Sequence, residues 1–202
     1  MKISLPVIPS YAYIAAILIG VPLLVFTFIL IAPPVTEQPV QDVFVNKTIS
    51  ELFIQTHQLP KYRPPLHWNQ VLKTPLEIEG VTGATDAGMI VFSRKYVDNK
   101  TNNIEIIEQV TERVYLFDSF ENSTAFYNEK TGQLMDGASD VVFDMKNHAS
   151  TCRGFYNSTK TFDTITTQCR YGNVAFQVKA TSREMLARDR TNHMIGVIEA
   201  KF

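Results

Sequence analysis

The sequence has few of the residues that build metal centres or disulfide-rich scaffolds. It contains two cysteines and four histidines among 202 residues. Two cysteines are too few for a four-thiolate zinc site or a disulfide-dense miniprotein. The histidines are scattered, without the HExxH spacing of a zinc protease. We therefore expect neither a metal ion nor a cofactor.

The chain also lacks an excess of positive charge. It has 19 lysines and arginines against 20 aspartates and glutamates, for a formal net charge of -1. Nucleic-acid-binding domains normally carry a basic surplus, so nucleic acid is not expected as a partner. The hydrophobic fraction of 45% is enough to form a folded core.

Common catalytic motifs are missing as well. The sequence has no GxSxG or SxxK nucleophile motif and no glycine-rich phosphate loop of the GxGxxG or GxxxxGK type. These absences favour a protein that is not an enzyme. Two carboxylates that meet in space would leave no sequence motif, so an unrecognised enzyme stays open as an alternative.

Charge is absent from one long stretch near the start of the chain. No charged residue occurs between Lys2 and Glu37, and within this gap residues 12–32 are almost entirely apolar. A helix over 12–32 is roughly 31 Å long, which matches the hydrocarbon core of a bilayer. We interpret it as a retained transmembrane helix; a cleaved signal peptide and a buried soluble helix are the alternatives. Prolines just after the candidate cleavage site disfavour the signal peptide.

Small residues and flanking charges refine this interpretation. Ala16 and Gly20 form a small-xxx-small pair that is a candidate for packing against another helix, although a purely lipid-facing anchor is equally consistent with it. Lys2 precedes the span and acidic residues follow it, so the positive-inside rule places residues 1–11 in the cytoplasm. Residues 33–47 are then an extended, proline-rich tether, and residues 48–202 an extracytoplasmic domain of a single-pass cell-membrane protein.

Sequons and cysteines agree with export. Four Asn-x-Ser/Thr sequons are candidate glycosylation sites, at Asn46, Asn99, Asn122 and Asn157. In an oxidising compartment Cys152 and Cys169 are expected to form a disulfide, with two free buried thiols as the alternative.

Periodicity after residue 48 indicates an α+β domain. A capping box at Thr48 to Glu51 predicts a short helix, and later patterns predict a mostly antiparallel sheet with helices packed on one face. The expected helices are 49–58, 119–130 and 183–200, and the expected strands are 76–81, 89–97, 104–117, 141–145, 162–170 and 174–181.

Several short motifs lie between residues 117 and 202. They are Phe117-Asp118-Ser119 before a helix, Ala125-Phe126-Tyr127 within it, Cys152, and Cys169-Arg170-Tyr171-Gly172-Asn173-Val174. This part of the chain resembles the extracellular sensor domain that one membrane span attaches to some bacterial serine/threonine kinases, the PknH-like family. The resemblance implies a periplasmic or cell-surface domain with a ligand-accepting groove, and no catalytic residue. The chain departs from that family in having only two cysteines and no kinase domain.

One proline-rich stretch, residues 60–75, concentrates residues that often anchor interfaces. These interaction candidates are Tyr62, Arg63, His67 and Trp68. Prolines reduce the entropy lost when such a loop binds, although Trp68 packing into the domain's own core is the alternative.

The expected function is a membrane-anchored, extracytoplasmic, non-catalytic binding or sensing module. Its expected partners are membrane lipid, a protein in or at the membrane, and a small ligand. An accessory single-pass subunit of a larger membrane complex is the second hypothesis, and an unrecognised extracytoplasmic enzyme the third.

Overall fold

The structure is a computed structural model, and it describes residues 43–60, 68–98, 103–137, 142–144, 148–183 and 187–202. The predicted span at 12–32, with Ala16 and Gly20, lies outside these residues. Within them, no helix is both long and apolar enough to cross a bilayer.

The described residues form one seven-stranded sheet in which every neighbouring pair is antiparallel. Its spatial order is β1-β2-β3-β7-β6-β5-β4, so the two halves of the sheet meet where β3 pairs with β7. The strands are β1 Trp68–Pro75, β2 Ala84–Asp98, β3 Asn103–Phe117, β4 Val142–Asp144, β5 Thr151–Ser158, β6 Asp163–Tyr171 and β7 Val174–Ser182. This confirms the prediction of a mostly antiparallel α+β fold.

The helices lie on both faces of the sheet, which corrects the prediction that they share one face. Helix α1 is Ile49–Leu52, α2 is Phe120–Gly137 and α3 is Ala187–Glu199. Neighbouring strand residues point to opposite faces. Ala175 of β7 packs with Phe126 of α2, whereas Phe176, the next residue, packs in the core that contains Met194 of α3. Successive residues of a strand lie on opposite faces of the sheet. The sequence therefore shows whether one face or both faces are buried only when the residues on each face are considered separately.

The main core lies between the sheet and the layer formed by α1, α3 and the chain around α1. It contains fully buried Phe92, Phe176 and Ile195, among others. A smaller cluster under α2 joins Phe117, Phe126 and Ala175. The first core therefore provides most of the hydrophobic stabilisation.

The segment from Val43 to Pro60, called the N-segment below, is part of the folded domain. Val45 is buried, and its backbone N–H donates to Oδ1 of the buried Asn173 at 2.7 Å. The last residues of the predicted tether, 33–47, therefore belong to the folded domain. The predicted capping box is present, because the Glu51 carboxylate accepts from the backbone N–H and the hydroxyl of Thr48, each at 2.8 Å. Helix α1 is nevertheless a single turn rather than the expected 49–58.

One predicted strand is absent, and two strands of the structure were not predicted. Residues 76–81 contain turns instead of a strand, since Val81 N–H bonds to the Ile78 carbonyl and Gly80 has a φ of 82°. The true first strand, β1, lies in the stretch expected to be a loop. Strand β5 was not predicted at all.

Candidate functional site

A surface pocket of about 200 Å³ lies where the N-segment meets strands β1 and β2. Ile49, Ser50 and Phe53 form one wall. The remaining lining residues come from the two strands: Lys73, Thr74, Pro75, Asp86, Ala87 and Gly88.

The pocket combines opposite charges with an aromatic ring. Lys73 and Asp86 are both exposed to solvent, and the Lys73 ammonium lies 5.3 Å from the centre of the Phe53 ring. Gly88 makes this arrangement possible, because a Cβ at that position would lie only 2.6 Å from Cζ of Phe53. The pocket lining therefore offers one cationic group, one anionic group and a small apolar surface.

A line of polar contacts, called the polar seam below, joins the N-segment to α3 and the residues after it. His193 Nε2 of α3 lies 2.8 Å from the Gln58 carbonyl oxygen. The Lys201 ammonium donates to the carbonyl oxygens of Glu51 and Phe53, and Lys47 donates to the carbonyl of Lys201. Beneath this seam runs β3, with two buried glutamates.

Glu108 is the first of these glutamates, and it is fully buried between two arginines. Its Oε2 lies 2.9 Å from an Nη of Arg94 on β2, and its Oε1 accepts from Nε of Arg190 on α3 at 2.8 Å. The side chains of Glu108, Arg94 and Arg190 are 0%, 4% and 12% exposed. The cluster thus ties α3 to the sheet through charges removed from water.

Glu112 is the second, four residues further along β3 and on the same face of the strand. Its Oε2 accepts from the backbone N–H of Ile54 at 2.9 Å, while Oε1 has no hydrogen-bond partner among the described residues. Burial raises the pKa of Glu112 to about 8, against the opposing effects of the Ile54 hydrogen bond and the charge of Lys201. The carboxyl is therefore mostly neutral at pH 7.

Sequence reasoning missed both glutamates, although the strand pattern contained a signal. The alternation predicted for 104–117 has Val110 and Val114 on its apolar face. Glu108 and Glu112 have the same parity, so the pattern already placed two carboxylates on the buried side. A charged residue at a core position of a strand is a marker of a buried ionic cluster.

The interaction candidates of the proline-rich stretch have different outcomes. Trp68 is 8% exposed, packs in the main core and donates from Nε1 to the Pro60 carbonyl at 3.1 Å. Trp68 therefore does not serve as a surface anchor. The structure shows the alternative, in which Trp68 packs into the domain's own core. Tyr62, Arg63 and His67 lie outside the described residues.

The predicted disulfide is present. Cys152 and Cys169 face each other on β5 and β6 and are bonded, with both side chains buried in the main core. Four residues before Cys152, His148 has its Nδ1 3.0 Å from the Glu199 carboxylate.

The candidate glycosylation sites differ in their surroundings. Asn46 and Asn157 are exposed. Asn122 lies in the first turn of α2, half-buried, and its amide donates to Asp118 Oδ1 at 2.8 Å. Asn99 lies outside the described residues.

Among the described residues, no three histidine, cysteine, aspartate or glutamate side chains are placed to hold a metal ion.

Comparison with known proteins yields a structural likeness and no sequence match. No protein-family model matches the sequence, and no curated protein sequence is similar to it. The fold is similar to the crystal structure of the extracellular domain of PknH from Mycobacterium tuberculosis, with a TM-score of 0.45 and 13% identity. The match covers 83% of this chain and 98% of the PknH domain. The resemblance to the PknH-like extracellular domain is confirmed as a likeness of fold.

Proposed function

We propose that this chain is a membrane-anchored binding module that works outside the cytoplasm. Residues 12–32 would anchor it, residues 1–11 would lie in the cytoplasm, and the folded domain would present its pocket on the extracytoplasmic side. The observation that carries the binding function is the pocket itself, which is lined by Lys73, by Asp86 and by the Phe53 ring. A small ligand with both an ammonium and a carboxylate group suits this lining.

The disulfide supports the location. Cytosolic thiols are kept reduced, so a stable cystine between two buried cysteines is typical of proteins in oxidising compartments. Together with the uncharged run at 12–32 it favours an exported domain behind a membrane anchor.

The location predicts protease sensitivity in intact cells. We expect protease added outside the cells to remove the folded domain from the full-length chain. Only a short fragment that contains the anchor should remain. Detection of the domain by immunoblotting, before and after detergent permeabilisation, measures this. A domain that resists protease until the cells are permeabilised would contradict the proposed topology.

The pocket predicts ligand-induced stabilisation that depends on Lys73 and Asp86. A thermal-shift panel of free amino acids, dipeptides and small organic acids, each at millimolar concentration, is expected to include compounds that raise the Tm of the wild-type chain. Lys73→Ala and Asp86→Asn should abolish these shifts, because they remove the groups that pair with the ligand's charges.

Lys160→Ala is the matched control, since Lys160 is an exposed lysine that does not line the pocket. It should leave every shift unchanged. Shifts that persist in both pocket variants, or a panel without a stabilising compound, would contradict binding at this site.

A specific surface favours the accessory-subunit hypothesis as a second candidate. Val43 and Phe44 are 39% and 56% exposed, and the Phe44 ring lies 6.1 Å from Phe120 in an edge-to-face arrangement. Exposed apolar side chains of this kind suit contact with another protein. Migration with a large assembly on a native gel, after extraction in mild detergent, would favour this candidate over an independent module.

A further inference from the structure

The two faces of the sheet carry charges of opposite sign. Successive residues of a strand point to opposite faces, and Ala175 of β7 marks the α2 side because it packs with Phe126. Among the described side chains of β3, β5, β6 and β7, the basic ones lie on this side: Arg113, Arg153, Arg170 and Lys179. The acidic ones lie on the opposite side: Glu108, Glu112 and Asp163. We call the α2 side of these four strands the basic face.

Helix α2 covers one part of the basic face. Its Phe126 ring packs against Tyr115 and Phe117 of β3, with ring centroids 4.6 and 5.3 Å apart. Further along the helix, the Met135 sulfur accepts from the Arg153 guanidinium at 4.0 Å. Ligand access is therefore greatest on the part of the face where the cations are exposed.

Exposed cations form a line along β7. Arg113 of β3 is level with Gln177, and its guanidinium donates to the Gln177 amide oxygen at 3.1 Å. Lys179 comes two residues later on β7, and Arg183, the first residue after the strand, lies over the Phe162 ring at 5.2 Å. Arg113, Lys179 and Arg183 are all exposed. At about 3.4 Å per residue, the line is about 20 Å long.

Hydroxyl groups stand beside this line. The cross-strand neighbours of Lys179 are Thr111 on β3 and Thr166 on β6. In the next row, the hydroxyl oxygens of Thr164 and Thr181 lie 3.1 Å apart. Hydroxyl groups can both donate to and accept from the hydroxyls of a sugar. The described side chains of the basic face thus combine cations with neutral hydrogen-bonding groups and include no carboxylate.

We propose that the basic face binds an acidic polysaccharide. Carboxylates along the polysaccharide pair with Arg113, Lys179 and Arg183, and its hydroxyls bond to the threonines. The formal net charge of the whole chain is -1, so the line is a local concentration of positive charge rather than part of a general surplus. This surface goes beyond the proposed ligand pocket, whose N-segment wall packs on the other side of the sheet.

Nucleic acid fits the basic face less well than a polysaccharide does. Proteins that bind single strands stack the bases on aromatic side chains. The aromatic rings of this face are engaged within the domain: Tyr115 packs on Phe126, Phe155 is buried, and Phe162 is covered by Arg183. A polysaccharide needs charges and hydrogen-bonding groups instead, and the face supplies both.

Binding of a defined polyanion tests the proposal on the full-length chain in nanodiscs of zwitterionic lipid. We expect polygalacturonate, a carboxylated polysaccharide, to bind in microscale thermophoresis at low ionic strength, and neutral dextran not to bind. The affinity for polygalacturonate should fall as salt is added, because exposed charges are screened.

Three variants and one control locate the binding. Lys179→Gln and Arg113→Gln should each weaken polygalacturonate binding about two- to fivefold, as expected for the loss of one exposed ion pair. Lys179→Glu should weaken it further, because the new carboxylate repels the ligand. Arg188→Gln removes an exposed arginine of α3, on the other side of the sheet, and should bind as the wild type does. All these positions are exposed, so the variants should fold, which circular dichroism checks.

Wild-type binding to polygalacturonate no tighter than to dextran would overturn the proposal, and so would unchanged binding in Lys179→Glu. A single-stranded oligothymidylate that binds more tightly than polygalacturonate, and is lost in Lys179→Glu, would assign the face to nucleic acid instead. These results are independent of the small-ligand panel. A panel without a stabilising compound would remove the pocket's proposed function and leave the basic face, and loss of polysaccharide binding would do the reverse.

Discussion

Replacing Glu108 with alanine is expected to lower the free energy of unfolding by about 3–5 kcal/mol. The carboxylate is fully buried and is the common partner of Arg94 and Arg190. Without it, two guanidinium groups in the interior lose the carboxylate that they share, and removing one partner of a buried ion pair is one of the most destabilising single changes in a folded protein. Urea unfolding followed by circular dichroism measures the loss.

Two controls separate the charge effect from general damage. Glu129→Ala removes an exposed carboxylate and should change stability by less than about 0.5 kcal/mol. The triple variant Arg94→Met, Glu108→Leu, Arg190→Met replaces the whole cluster with apolar side chains of similar size and should be more stable than Glu108→Ala alone. A loss below about 1 kcal/mol in Glu108→Ala would show that the cluster is not held as the structure indicates.

The sequence predicted the fold best where one local signal dominates. Residues 104–117 alternate over a long stretch, and the structure has β3 at Asn103–Phe117. The capping box at Thr48 and Glu51 formed as expected because it depends on only four consecutive residues. Its helix ended after one turn because the chain must then bring Ile54 to Glu112 on β3, a contact between residues far apart in sequence.

Competing signals account for the misplaced first strand. Prolines suggested a loop across 60–75, but Pro75 is the last residue of an edge strand, where the missing N–H breaks no ladder of the central sheet. Residues 76–81 alternate in polarity, yet the positive φ values of Gly80 and Gly83 make this region a set of turns. Turn geometry outweighed a short alternation.

The candidate site was less predictable than the fold because it combines distant parts of the chain. The pocket needs Phe53 from the N-segment beside Lys73 and Asp86 from two strands. Neither spacing nor residue type reveals that these three positions meet. The disulfide was predictable for a different reason, since two cysteines allow only one intramolecular pairing.

That disulfide is the basis of the second large effect. Replacing both Cys152 and Cys169 with alanine is expected to cost about 2–5 kcal/mol, because the bond restricts the unfolded chain and its removal leaves a gap in the main core. The bond joins β5 to β6, and beyond β5 the described sheet has only the three-residue strand β4. We therefore expect this edge of the sheet to lose stability first.

Urea unfolding gives the global loss, and hydrogen exchange locates it. Protection of 151–158, whose outer neighbour is only the three-residue β4, should fall more than protection of β3, which lies between the longer strands β2 and β7. Wild-type protein unfolded with and without reductant is the control that keeps both sulfur atoms: loss of stability on reduction isolates the cross-link, and the further loss in the alanine variant measures core packing. Equal unfolding midpoints for the oxidised wild type and the alanine variant would contradict the view that this bond fastens the outer strands to the domain.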